Sequence, residues 1–195
     1  MIARAGRVLM VTVLMLAFSS RAAAQMEWNV AVERITRLSP GAFWNLSRDA
    51  VVALEVEGCT VPQAWGENEP HNVIVGWFGA PGQDDWAVLC SKEENSSIVV
   101  MWGGPVSCPT PIAPPLADQS FLQGVGLDGI LFSRGIASIR LDPRYWAYPQ
   151  SPLLDSLTHD AISDTFYEKG ATAYYCEGGV WLEFNGVTDV DPRHT

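Results

Sequence analysis

The sequence predicts an α+β fold, mostly antiparallel β, with one main N-terminal helix. The strands fit a meander, a sandwich sheet or part of a propeller-like array. Three observations carry this. Asn72–Trp102, NVIVGWFGAPGQDDWAVLCSKEENSSIVVMW, holds three short apolar runs separated by loops rich in Gly, Pro, Asp, Ser and Asn. A second strand–turn–strand pattern surrounds Glu177-Gly178-Gly179. The best helix signal in the chain lies near residues 40–56.

Taken in order, Gln25–Leu38 fits two periods. Trp28, Val30 and Val32 alternate as in a strand, while Trp28, Val32 and Ile35 recur as in a helix. The helix that follows has Ser39 as cap, Pro40 in its first turn and a stripe of Phe43, Leu46, Ala50, Val51 and Leu54. Gly58 suits its end. In the central stretch Val73, Val75 and Trp77 share one strand face, and Ile74 and Phe78 the other. Both faces are apolar, so cover on both sides is expected. Ala80-Pro81-Gly82-Gln83 suits a type II turn, and Ser91–Ser97 reads as a solvated connection. The proline-rich run Gly103–Asp118 reads as an ordered surface crossing. Phe121–Leu127 and Ile130–Phe132 are short apolar runs broken by glycine, and Gly135–Leu141 alternates as a strand with one wet face. Asp142–Leu154 reads as a loop. Thr158–Phe166 fits one helical turn or an acidic loop. Ala171–Cys176 and Val180–Phe184 form a hairpin over a turn that accepts positive φ.

The chain has 195 residues. Residues 1–24 read as a signal peptide: Arg4 and Arg7, then the apolar run Val8–Phe18, then Ala22-Ala23-Ala24. Residues 25–195 are expected to form a single exported β-rich domain, periplasmic or secreted. No later stretch is apolar enough to suggest a membrane span. The formal charge of −10 becomes about −13 when Arg4, Arg7 and Arg21 leave with the leader, which carries no acid. Such a balance argues against nucleic acid and for a basic protein partner or a cation. Cys59, Cys90, Cys108 and Cys176 are an even set in an exported chain, which favours disulfides. Of three connectivities, Cys59–Cys90 with Cys108–Cys176 is the pairing we expect.

Candidate chemistry is sparse. The sequence has no G-x-S-x-G, H-E-x-x-H, Walker or EF-hand pattern. His159 stands beside Asp160 and near Asp164, a set able to act as general base or to hold a divalent cation. Asp84-Asp85 offers oxygen ligands for calcium. Trp65, Trp146 and Tyr148 fall in loops, where aromatic side chains anchor protein interfaces or sugar rings. Three functions follow, the last a structural role in which the surface has no dedicated site. The first is an envelope binding module that recognises or inhibits a protein, for instance an acidic inhibitor of a basic enzyme, with no catalysis and no resident cofactor. The alternative is a hydrolase or cation-binding protein built on His159, Asp160 and Asp164.

Within Val73–Cys90, VIVGWFGAPGQDDWAVLC, Phe78-Gly79-Ala80-Pro81 and Gly82-Gln83-Asp84-Asp85 stand where FG-GAP repeats have their Phe-Gly and acidic turn. The run thus resembles the strand–loop–strand unit of integrin-like propellers. That repeat's calcium loop of alternating Asp or Asn closed by Gly is missing. A loose internal echo joins Gln83–Trp102 to His159–Trp181 in the same layout. The whole chain also resembles a group of uncharacterised exported bacterial proteins, a resemblance that implies no activity.

Overall fold

A computed structural model describes residues 27–141 and 157–187. The leader and its cleavage site, Tyr145, Trp146 and Tyr148, and the tail from residue 188 lie outside the described residues. Two four-stranded antiparallel meanders dominate. The first is β3 (Val73–Gly76), β4 (Asp85–Lys92), β5 (Asn95–Met101) and β6 (Leu116–Ala117). The second is β9 (Arg134–Ile139), β10 (Ala161–Phe166), β11 (Gly170–Glu177) and β12 (Val180–Val187). Two short pairs flank them: β1 (Arg37–Leu38) with β2 (Val61–Pro62), and β7 (Leu122–Val125) with β8 (Gly129–Phe132). Residues 27–33 are helical (α1), and α2 spans Arg48–Val56.

The two-faced apolar pattern of the first meander is used as the sequence predicts. Ile74, Ala87, Leu89, Ile98 and Val100 pack with Ala31, Val32, Ile35, Phe132, Ile136 and Ile162. On the opposite face Val73, Val88 and Cys90 pack with Phe43, Leu46, Leu54, Cys59 and Val61, so α2 covers this side. β3 is the exception: Val75, and Trp77 just after the strand, stay partly exposed at the edge of the sheet. The Ala80–Gln83 turn forms with Gln83 N–H donating to Ala80 O and Gly82 at φ 80°.

The helix is shorter than its stripe suggests. Pro40–Ala42 makes a separate 3₁₀ turn, and Ser47, not Ser39, caps α2 by accepting from Ala50 N–H. Phe43 and Leu46 still reach the core, from the linker. The helix stops at Gly58, whose φ of 73° is open to glycine. Cys59 N–H then donates to Leu54 O and Gly58 N–H to Glu55 O, the paired bonds of a Schellman ending. That ending delivers Cys59 to Cys90 on β4; the second disulfide joins Cys108 in the proline-rich crossing to Cys176 on β11. Two disulfides fit an oxidising, extracytoplasmic compartment. Among the described residues no helix is long and apolar enough to cross a membrane.

Two segments depart from expectation. Ser91–Ser97 is not a loop but the ends of β4 and β5 around a two-residue turn, Glu93 and Glu94, both at positive φ. Ser91 and Ser96 are buried because they meet buried charges: Ser91 Oγ donates to Asp118, and Ser96 accepts from Arg134. Thr158–Phe166 is neither a helical turn nor a loop. Ala161–Phe166 forms β10, flanked by β9 and β11, and its β-branched Ile162 and Thr165 suit that buried place.

The meanders meet where β3 approaches β9. Asn72, fully buried at φ 71°, makes the join. Its Nδ2 donates to Pro62 O and Arg134 O, and its Oδ1 accepts from Ile136 N–H. Gly76 permits the approach: a Cβ there would lie 2.7 Å from both the Phe78 ring and Ser138 Oγ.

Candidate functional site

The carboxylates singled out in the sequence do not converge. Asp85 is fully buried and accepts from Gly79 N–H, Gln83 Nε2 and Gly103 N–H. Ringed by donors, it organises the loop after β3 and has the opposite surroundings to a cation ligand. Asp84 accepts from Trp77 Nε1. Asp160 accepts from Trp77 N–H and pairs with Arg140. Asp164 forms a two-pronged bond to Arg134. Asp160 and Asp164 are four positions apart on extended chain, roughly 13 Å at strand rise, not one helical turn. Among the described residues, no three His, Cys, Asp or Glu side chains gather as metal ligands. His159 is buried, its ring stacked 4.0 Å from that of Tyr175, with Nδ1–H donating to Asp160 O. A stacked, enclosed imidazole holds the start of β10.

The structure builds a concave site elsewhere, around Trp65. A groove of about 870 Å³ opens between three segments distant in sequence. One wall is α1 and the residues after it, with Val30, Ala31, Arg34 and Ile35. The second is the loop Gln63–Glu67, and the third is Asp128–Phe132 at the tip and outer strand of the β7–β8 hairpin. Ile35, Ala64 and Phe132 make the floor continuous with the main core. Trp65 N–H donates to Phe132 O at 2.9 Å, locking the loop to the hairpin. Glu67, Glu27 and Asp128 stand around the apolar floor, with Arg34 the one cation among the lining residues. Tyr167 Oη donates to Glu67 Oε1 and orients it. An apolar trough rimmed by carboxylates suits a side chain with an oily stem and a positive head.

The loop carrying Trp65 is closed by His71. Ala64 N–H donates to His71 Nε2 at 2.7 Å, and His71 Nδ1–H donates to Glu69 O. Gln63 completes the clasp by pairing its amide with the main-chain N–H and C=O of His71. Only the neutral ring can accept from Ala64. Burial holds the His71 pKa below its ordinary 6.5, against the Glu69 carbonyl and the Glu67 charge, which pull it up. Because the folded value is depressed, the clasp contributes fully above 6.5 and its contribution is lost as pH falls from 6.5 through the folded value. His71→Gln keeps an acceptor near the Nε2 position without a titrating proton. Thermal melts from pH 7.5 to 5 should show a smaller loss of Tm for His71→Gln than for the parent. Identical slopes for the two proteins would contradict the clasp.

Of the aromatic loop candidates, Trp65 lines this groove, and Trp146 and Tyr148 lie outside the described residues. Sequence reading missed Glu27, Arg34, Glu67, His71 and Asp128, whose common feature is only spatial. No protein-family model, no curated protein and no solved structure matches the chain.

Proposed function

We propose that this chain is an extracytoplasmic binding module whose Trp65 groove recognises a basic, partly apolar segment of a protein partner. Where that segment belongs to a basic enzyme, occupation of the groove would inhibit it. One observation supports the reading above the rest: an apolar trough, walled by Trp65 and continuous with the core, is ringed by Glu27, Glu67 and Asp128. Large aromatic side chains in such settings carry much of the affinity at interfaces. A formal charge of −10 would steer a cationic partner toward the chain and make association salt-sensitive. The catalytic alternative draws no comparable support, since His159, Asp160 and Asp164 each serve a separate structural contact.

Selection of displayed random peptides on the folded, oxidised chain tests the proposal. Recovered peptides should combine Lys or Arg with apolar residues. Trp65→Ala should weaken their binding by roughly 30-fold, in line with loss of an aromatic anchor. Glu67→Gln should weaken it about three- to fivefold, with a shallower salt dependence. Peptides without basic residues, or equal affinity for the parent and Trp65→Ala, would defeat the reading.

A further inference from the structure

The groove has a backbone feature that its side chains do not use. β8 pairs only with β7; among the described residues its other edge carries no strand, and Gly129–Phe132 line the groove. The direction of each main-chain group follows from the bonds present. Ser133 N–H donates to Phe121 O, back across the hairpin, whereas Phe132 O accepts from Trp65 N–H on the groove side. In an antiparallel strand successive residues point their N–H and C=O to opposite edges. Ile130 therefore directs both of its main-chain groups to the same side as Phe132, into the groove. Trp65 already bonds to this edge as the first residue of an added strand would.

We infer that the partner segment enters as an extended strand that adds to the free edge of β8, pairing with Ile130. The inference rests on the groove reading above and specifies its mode. Main-chain bonds set the register, and side chains alternate. One set lies on the apolar floor beside Trp65. The other carries the positive charge that Glu67 and Asp128 complement. The preferred occupant is thus an alternating apolar–basic segment of another protein, and charge separates it from a second copy of this acidic chain.

The probe is the peptide Lys-Val-Lys-Val-Lys-Val, with its block isomer Lys-Lys-Lys-Val-Val-Val as a control of equal charge and composition. The alternating peptide should bind at least about tenfold more tightly, because only it separates apolar and basic faces as a strand. N-methylation at one main-chain position should lower affinity about tenfold, and methylation one residue away should not. Ile130→Pro, which removes an outward N–H from an edge strand, should have a similar effect without changing the far-ultraviolet spectrum. Equal binding of the two isomers, or an N-methyl scan with no position-dependent loss, overturns strand addition. If Trp65→Ala weakens the probe while the scan is flat, the groove stands and the strand mode falls. If Trp65→Ala has no effect, both fall. Dimerisation of the free chain that Ile130→Pro abolishes would overturn the choice of occupant.

Discussion

Replacing Asn72 with leucine should destabilise the chain by about 4 kcal/mol or more, among the largest losses from any single substitution. The side chains are similar in size, so no cavity opens. What is lost is polar pairing at a fully buried point: Ile136 N–H, Pro62 O and Arg134 O lose the partner that joins the two meanders. Each buried group left unpaired costs about 1–3 kcal/mol. Leucine at φ 71° adds about 1–2 kcal/mol of left-handed strain. Asn72→Gly relieves the left-handed strain but restores no bond and leaves a void where the side chain was. Urea unfolding should therefore place both variants well below the parent. A Leu variant within 1 kcal/mol of the parent would contradict this role for Asn72.

Asp164→Ala should cost about 3–5 kcal/mol, because it leaves a buried guanidinium without its counter-ion. Arg134 is nearly inaccessible; it bonds Asp164 through Nε at 2.9 Å and Nη2 at 2.8 Å. Nη1 bonds Ser96 O and Oγ, and the guanidinium lies 4.2 Å over the Phe121 ring. One side chain on β9 thus ties together β5, the 3₁₀ turn Asp118–Phe121 that precedes β7, and β10. The double change Arg134→Met with Asp164→Leu should be milder than Asp164→Ala alone, since it buries no unpaired charge. If the single variant proves the more stable of the two, the pair does not act as described.

These two residues also mark where sequence reading stops. The central strands were legible because their apolar runs alternate over both faces and Pro81-Gly82 suits the first turn, with Gly82 at positive φ. The Gly178–Gly179 hairpin was legible for the same local reason. The Cys59–Cys90 and Cys108–Cys176 pairings match expectation. Ser91–Ser97 misled because polarity signals solvent only when no buried charge answers it; Asp118 and Arg134 do so here, from far along the chain. His159 and its aspartates resemble a catalytic set only because they are adjacent in sequence, and adjacency in sequence is not convergence in space. On a strand, alternation and 3.3 Å of rise per residue pull such neighbours apart. The groove was invisible for the converse reason: α1, the Trp65 loop and the hairpin meet only after folding, and Trp65 alone carried a local signal.

Amide hydrogen exchange on the oxidised chain, with and without a saturating selected peptide, tests the binding claim most directly. The account predicts new protection in residues 27–36, 63–67 and 128–132. It predicts no change on the outer face of α2 and the linker before it, where Val52, Val56 and Trp44 are exposed. Protection on that apolar face, with the Trp65 groove unchanged, would contradict it.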